Sequence, residues 1–220
     1  MKPLIIFDMD WTLIKLVMTW DDVIEELSEL FGKYGVQLDT RGNIIAEVFS
    51  KSSNMKEGKK LLKQAYSIID KYEAVGSKNA VVLGNSPSIL KELEQNYNLA
   101  IVSNNGDKAI KAALKTVGVP LKTFKAIISR DIHEKPKPSP VPIIEILKKF
   151  PGTKVVYVVG DEPVDILCGK AAAKLINGVS IYTIGIMGGW VGKEKVLRSR
   201  PDFVIKNIDE LPALLSKQPL

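Results

Sequence analysis

The sequence has almost none of the features that mark disulfide-rich, membrane-spanning or dinucleotide-binding proteins. It contains one cysteine in 220 residues, so no internal disulfide can form. That residue, Cys168, lies in an apolar stretch, which indicates a small buried core residue. No apolar run approaches the ~18 residues of a membrane span, and the first apolar run is not followed by G-x-G-x-x-G. With 45% hydrophobic residues, the chain is expected to form a soluble globular protein.

The charge balance favours anionic partners. The net charge is +6 and the pI is about 9.2. The densest basic patch, KEGKKLLKQ at 56–64, spaces its leucines along one helix face, so its lysines are expected to be solvated. We therefore expect a small phosphorylated metabolite as partner, with no nucleic acid and no membrane. The start, MKPLII, fits neither a signal peptide nor a transit sequence, so a cytoplasmic location is expected. A monomer and a homodimer are both compatible with the sequence.

Two patterns divide the chain. Residues 19–79 have helical periodicity, with Val23, Leu27 and Phe31 on one face of the first helix and Gly76 at the expected end of the last. The rest alternates helical stretches with short β-branched runs: LAIVSN, KAIIS, KVVYVVGD, VSIYTIG and DFVI. Such alternation indicates a parallel sheet covered on both faces.

The predicted fold is therefore α/β, with a Rossmann-like doubly wound parallel sheet core and a small all-helical cap domain inserted after the first strand. The core is assigned to residues 1–16 and 80–220, and the cap domain to residues 17–79.

Four polar clusters follow predicted strands: DMDWT, SNNG, HEKPKPSP and GDEPVD. Ligands bind outside the carboxyl ends of parallel strands, so these clusters are expected to meet at one rim of the sheet. Carboxylates gathered there with a lysine form a hard-cation site, for which Mg²⁺ is the natural occupant. The metal would offset repulsion among Asp8, Asp10 and Asp161. Two like charges roughly 4 Å apart repel by about 4 kcal/mol at an effective dielectric near 20.

The paired carboxylates suggest phosphoryl transfer in two steps. One carboxylate can attack phosphorus to give an aspartyl phosphate. The carboxylate two residues on can protonate the leaving alcohol and later deprotonate the attacking water.

The sequence resembles the haloacid dehalogenase superfamily, most closely its phosphoglycolate-phosphatase-like branch. DMDWTL resembles the D-x-D-x-T motif, VSNN the hydroxyl motif, KPKPSP the K-P-x-P lysine motif and GDEPVD the G-D-x-x-x-D motif, all in the family's order. The closing segment PDFVIKNIDELPALL is also similar, so the resemblance covers essentially the whole core. The helical insert resembles the mobile cap with which family members exclude water and select substrate.

The resemblance implies roles for four aspartates. Asp8 would be the nucleophile and Asp10 the general acid/base. Mg²⁺ would bind the Asp8 and Asp161 carboxylates and the Asp10 backbone carbonyl. Asp165 would hold the metal through water or orient its neighbours.

It also implies that Ser103, Asn104 and Lys135 grip the phosphoryl oxygens, with Lys135 acting in catalysis. Both Lys135 and Lys137 lie in the Pro-rich loop, and we predict Lys135 from the K-P-x-P register.

Trp11 departs from the family, which most often has Gly at this position. Its ring could narrow the pocket, stack on a substrate or pack the core against the cap, and packing is the simplest interpretation. Trp11 and Thr12 are expected beside the substrate. The run GIMGGWVG at 185–192 is expected to form a flexible turn, with a phosphate cradle as the alternative, and His133 is expected on the surface.

These motifs predict a Mg²⁺-dependent phosphatase that hydrolyses a small phosphomonoester, phosphoglycolate-like or a sugar phosphate, through an aspartyl-phosphate intermediate. A phosphosugar mutase would share all four motifs. A receiver-like phosphoacceptor uses a similar set of groups, but receivers are shorter and their acceptor aspartate ends a middle strand. A dehalogenase is disfavoured because that branch lacks the second aspartate. The sequence does not identify the substrate.

Overall fold

A computed structural model describes residues 2–132 and 135–218 of the chain. Its strands are β1 Leu4–Phe7, β2 Ile14–Lys15, β3 Val81–Val82, β4 Asn98–Val102, β5 Ala126–Ile128, β6 Val155–Gly160, β7 Ser180–Ile186 and β8 Phe203–Ile205. Six of them form one sheet in the order β5-β4-β1-β6-β7-β8, and every neighbouring pair is parallel. The central strand β1 is therefore flanked by β4 and β6.

The helices are α1 Trp20–Gly32, α2 Ile44–Ser53, α3 Gly58–Lys78, α4 Ser86–Leu93, α5 Asp107–Thr116, α6 Val141–Lys148, α7 Pro163–Leu175, α8 Lys193–Arg198 and α9 Leu211–Leu215. Two short 3₁₀ turns span Leu121–Thr123 and Ile208–Glu210. Within the described ranges, no helix has the length and apolarity needed to cross a bilayer.

Both faces of the sheet are covered because successive side chains of a strand point to opposite sides. Ile5 and Phe7 of β1 pack in a cluster with residues of α4, α5 and α9, whereas Leu4 and Ile6 pack in a second cluster with residues of α6 and α7. All four residues are essentially inaccessible to solvent. The predicted Rossmann-like, doubly wound parallel core is thus confirmed.

Helices α1–α3 have a hydrophobic cluster of their own, which includes Val23, Leu27 and Phe31 from the predicted apolar face. All three helices lie within residues 17–79, the proposed cap domain. The chain enters and leaves this region through β2 and β3, which pair antiparallel with Ile14 opposite Val82. The sequence did not indicate these strands because two residues are too few for alternation to show.

Gly76 does not end α3, contrary to the expectation from sequence. The helix continues to Lys78, and Gly76 is buried against the chain that enters the cap. A β-carbon at Gly76 would lie 3.2 Å from Cβ of Met18 and 3.4 Å from Cβ of Leu16. The glycine therefore permits close packing of α3 on this segment.

Cys168 is fully buried in α7, as its apolar surroundings indicated. Its Sγ donates a hydrogen bond to the Ser139 carbonyl, and burial raises the pKa of the thiol to about 12. The folded protein is therefore expected not to react with Ellman's reagent at neutral pH, whereas the chain in concentrated guanidinium chloride should release one equivalent of thionitrobenzoate per molecule. Rapid reaction of the folded protein would contradict this placement.

Candidate active site

The candidate site lies where three adjacent central strands end. Asp8, Ser103 and Asp161 directly follow β1, β4 and β6, so parallel pairing brings them to the same rim. The Asp8 N–H extends the ladder by donating to the Val159 carbonyl, at 2.8 Å. A cavity of about 120 Å³ opens between this rim and the cap helices. It is lined from the core by Asp8, Asp10, Trp11, Ser103, Asn104, Asn105, Lys137, Asp161, Glu162 and Trp190, and from the cap by Trp20, Ile24, Thr40, Gly42, Asn43, Ile44 and Ile45.

The lysine at this rim is Lys137. Its side chain is buried, and Nζ donates to Asp8 Oδ1 at 2.6 Å and to Asp165 Oδ1 at 2.5 Å. Burial alone would lower the pKa of the Lys137 ammonium, but the Asp165 and Asp8 carboxylates raise it above its ordinary value. Lys137 is therefore a permanently charged partner of Asp8.

The prediction of Lys135 is wrong on this geometry, because Lys135 is exposed and does not line the cavity. The loop contains two overlapping K-P-x-P matches, one starting at each lysine. Helix α6 begins at Val141 with Pro140 as its N-cap residue, so the second match directly precedes the helix, and the Asn104 amide binds the backbone of its lysine. The second match, Lys137 to Pro140, is the one whose lysine lies at the rim of the sheet.

Asp161 is held from two sides. Its Oδ1 accepts a hydrogen bond from the Thr12 hydroxyl at 3.2 Å, and its Oδ2 accepts one from the Trp190 N–H at 2.9 Å. Thr12 is buried and does not line the cavity, so it supports Asp161 instead of lying beside a substrate as predicted. The glycine run after β7 packs directly on this carboxylate, since a β-carbon at Gly189 would lie 2.2 Å from Cβ of Asp161.

Asp165 occupies the first turn of α7 and faces the lysine. Besides the ion pair with Lys137, its Oδ2 accepts from the Glu162 N–H at 3.0 Å as part of a capping box. One carboxylate oxygen from each of Asp8, Asp161 and Asp165 lies within 4.8 Å of the others. Asp165 does not line the cavity, so it is placed to orient its neighbours.

The loop after β4 is fixed by its own side chains. The Ser103 hydroxyl donates to Asn105 Oδ1 at 2.8 Å and accepts from the Asn105 N–H. The Asn104 amide exchanges two hydrogen bonds with the Lys137 backbone, accepting from its N–H at 2.9 Å and donating to its carbonyl at 3.2 Å. Ser103 and Asn104 thus line the cavity, and Asn104 also positions the lysine loop.

Asp10 and Trp11 follow β1 where the chain turns away from the sheet. Oδ1 of Asp10 accepts from the Leu16 N–H at 2.8 Å. Burial of the carboxyl, and after it the neighbouring carboxylates, raise its pKa well above the ordinary value despite that hydrogen bond. Trp11 has a left-handed backbone, with φ of 59°, and its ring centroid lies 5.5 Å from that of Trp190.

The charges of the site fit a divalent cation. Four carboxylates line the cavity (Asp8, Asp10, Asp161 and Glu162), but Lys137 is the one cation among the described lining residues. Burial, and then the charges of Asp8 and Asp165, raise the pKa of Asp161 well above its ordinary value, and burial raises that of Glu162 to about 7. Oxygen donors this crowded match the ligand preference of Mg²⁺.

Sequence reasoning missed several residues of this cavity. Lys137 was recognisable only as the second of two lysines, and Glu162 as the unassigned acid of GDEPVD. Asn43 donates through Nδ2 to Glu162 Oε2 at 2.5 Å, joining the cap to the core. Trp20 and Asn43 carried no motif that could have marked them, and Trp190 was included only within the glycine run GIMGGWVG. His133 lies outside the described residues.

The fold and the groups gathered at its rim define a hydrolase of the α/β class equipped for phosphoryl transfer. Residues 5–176 match the family model of the haloacid dehalogenase-like hydrolases, and the chain belongs to this family. The resemblance stated from the four motifs is thereby confirmed.

Individual relatives agree with this assignment. The chain is 25% identical over 232 aligned positions to a phosphoglycolate phosphatase of Psychrobacter arcticus, covering 98% of this chain and 96% of that protein. It is 28% identical to the pyrophosphatase PpaX of Bacillus pumilus over 123 residues, covering 56% of this chain and 53% of that protein. The chain is thus a phosphatase-type member of the family.

Solved structures show the same fold. A hydrolase from Pseudomonas syringae superposes with a TM-score of 0.69 at 18% identity, over 100% of both chains. A predicted phosphoglycolate phosphatase from Haemophilus somnus gives 0.67 at 20% identity, over 97% of this chain and 98% of the other.

Proposed function

We propose that the protein is a Mg²⁺-dependent phosphatase that hydrolyses a small phosphorylated metabolite through an aspartyl phosphate on Asp8. The carrying observation is the environment of Asp8, which ends the central strand inside the cavity with its Oδ1 2.6 Å from Nζ of Lys137. A carboxylate so placed is both accessible to phosphorus and oriented by a fixed cation.

In the first step an Asp8 oxygen attacks phosphorus and the ester P–O bond breaks. The electron pair of that bond leaves with the alcohol oxygen, which takes a proton from Asp10. Lys137 keeps its proton throughout and offsets negative charge beside Asp8. The products are an acyl phosphate on Asp8, the free alcohol and an ionised Asp10.

In the second step Asp10 takes a proton from water, whose oxygen attacks phosphorus and displaces the Asp8 carboxylate. Inorganic phosphate leaves, and both aspartates return to their starting states. Bound by the Asp8 and Asp161 carboxylates and the Asp10 carbonyl, Mg²⁺ would supply positive charge that lets a phosphate dianion approach these carboxylates.

Cap helices over the rim support action on a small substrate, because closure of such a cap would limit the access of bulk water to the cavity. They also argue against a receiver-like phosphoacceptor, which needs no such enclosure. A phosphosugar mutase would use the same groups, so product analysis separates it from a phosphatase. A cytoplasmic location and a monomeric or homodimeric state remain predictions.

The first test is hydrolysis of p-nitrophenyl phosphate with excess Mg²⁺ and with EDTA. We expect turnover with the metal and its loss with the chelator. Borohydride reduction during turnover should convert the acyl phosphate on Asp8 to homoserine, detectable by peptide mass spectrometry. Metal-independent turnover, or phosphate found on another residue, would contradict the proposal.

A matched pair of lysine variants tests the assignment of the site lysine. Lys137→Ala should lower kcat by about 10²-fold or more, because Asp8 and Asp165 lose their buried counter-charge. Lys135→Ala, two residues away and exposed, should change kcat less than about twofold. Steady-state kinetics with p-nitrophenyl phosphate measures both. A larger loss in Lys135→Ala would restore the assignment made from the sequence.

A further inference from the structure

The chain contains three tryptophans, and all three line the candidate active-site cavity. Trp11 and Trp190 come from the core and their rings are in tilted contact, whereas Trp20 begins cap helix α1. Ile24, Ile44 and Ile45 complete an apolar wall on the cap side. The cap side of the cavity therefore presents mainly aromatic and aliphatic side chains, together with Thr40, Gly42 and Asn43.

The same wall has no cation to receive a negatively charged leaving group. Among the described lining residues the only positive side chain is Lys137, which is occupied by Asp8 and Asp165. Lys15 lies 4.4 Å from the centre of the Trp11 ring but does not line the cavity. Glu162 does line it, and among the described residues Lys137 is the cation that acts on its carboxyl group. An anion on the leaving group would thus meet rings, aliphatic groups and a carboxyl group.

We propose that this site selects phosphomonoesters whose leaving alcohol is uncharged and carries a small flat or apolar group, and that it discriminates against anionic leaving groups. The proposal rests on the proposed phosphatase function. Aromatic walls favour flat groups because ring contacts add to the burial of apolar area. The cavity of about 120 Å³ must also hold the phosphoryl group and is smaller than the roughly 150 Å³ that admits benzene, so a ring on the leaving group is expected to lie against Trp190, which is 53% exposed, and not to be enclosed.

The consequence is a preference unlike the activities named for the two relatives. The leaving group of phosphoglycolate is glycolate, which carries a carboxylate, and the leaving group of pyrophosphate is a second phosphate. Each substrate would therefore place an anion against this wall. Family membership is retained while the cap and Trp190 change the class of alcohol that fits.

Binding of non-hydrolysable phosphonates tests the preference without requiring turnover. In 2-phenylethylphosphonate the carbon chain mimics benzyl phosphate, and in 3-phosphonopropionate it mimics phosphoglycolate. Calorimetric titration of the full chain with Mg²⁺ should give a Kd at least about tenfold lower for the phenyl ligand. Trp190→Leu should raise the Kd of the phenyl ligand at least about fivefold and change that of the carboxylate ligand less than about twofold. This variant keeps the backbone N–H that binds Asp161, and it replaces a side chain that is 53% exposed, so folding should be preserved.

The proposal is overturned if 3-phosphonopropionate binds as tightly as the phenyl ligand, or if Trp190→Leu weakens both equally. Turnover of benzyl phosphate and phosphoglycolate, whose leaving groups are both alkoxides, gives the parallel kinetic comparison. Faster turnover of phosphoglycolate than of benzyl phosphate would overturn this inference, but the proposed phosphatase function would still hold. Preferential binding of the phenyl ligand with no hydrolysis of any phosphomonoester would instead overturn the proposed function and support the ligand class.

Discussion

Asp8→Asn is expected to lower kcat for p-nitrophenyl phosphate at least about 10³-fold. The amide has nearly the shape of the carboxylate but cannot form an acyl phosphate, so the two-step route is lost entirely. It also removes a negative charge from the group of oxygens formed with Asp161 and Asp165, so affinity for Mg²⁺ should fall. Steady-state kinetics and calorimetric titration with Mg²⁺ measure the two effects separately.

Glu92→Gln is the control, because it makes the same carboxylate-to-amide change at an exposed position of α4. Its kcat should match that of the natural protein. Near-ultraviolet circular dichroism should show that Asp8→Asn is folded. Residual turnover of one tenth or more by a folded Asp8→Asn protein would rule out Asp8 as nucleophile and direct attention to water attack assisted by Asp10.

The second large effect is expected on stability, from Glu73→Ala. Glu73 lies in cap helix α3 with a side chain only 1% exposed, and it faces the fully buried guanidinium of Arg130. Both carboxylate oxygens accept from Arg130 at 3.0 Å. They also accept from the side chain of Asn105 and from the Gly106 N–H. Removing Glu73 leaves a buried cation whose one remaining ion pair among the described residues is with the half-exposed Asp70, which should cost about 3–5 kcal/mol of unfolding free energy.

Urea unfolding followed by far-ultraviolet circular dichroism measures this loss. Glu194→Ala removes one partner of an exposed ion pair in α8 and should change stability by less than about 0.5 kcal/mol. The double variant Glu73→Leu with Arg130→Met should recover much of the loss, because no unpaired charge then remains buried. If Glu73→Ala were no more destabilising than Glu194→Ala, the buried pair would not hold cap to core.

Parts of this architecture could be predicted because the residues that form them are local and periodic. The run KVVYVVGD predicted β6 and its terminal Asp161 since a strand buried on both faces is continuously apolar. Glu73 could not be predicted in this way. It lies in the charged stretch DKYE, which is typical of the solvated face of a helix. Glu73 is buried because it pairs with Arg130, which is 57 residues away in sequence.

The lysine loop and the tryptophans show a different limit. A motif that fits the sequence at two overlapping positions is resolved here by a tertiary contact, since the Asn104 amide binds the backbone of Lys137. Trp20 and Trp190 are separated by 170 positions and share no spacing with Trp11. Their common cavity exists because the cap folds back over the rim, which depends on tertiary contacts that no local pattern encodes.

Glu73 lies near the C-terminal end of α3, so its contacts attach that end of the helix to the core. With Glu73 bound to Arg130 and to the loop after β4, that end of α3 is fixed to the core, and the rest of the helix extends away from this fixed end. The helix is about 22 Å long from Glu73 to Gly58, at 1.5 Å per residue. A rotation of about 10° about the fixed end would move the other end of α3 by about 4 Å. We expect opening of the cap about this fixed end to break the hydrogen bond from Asn43 to Glu162 while the contacts of Glu73 are kept.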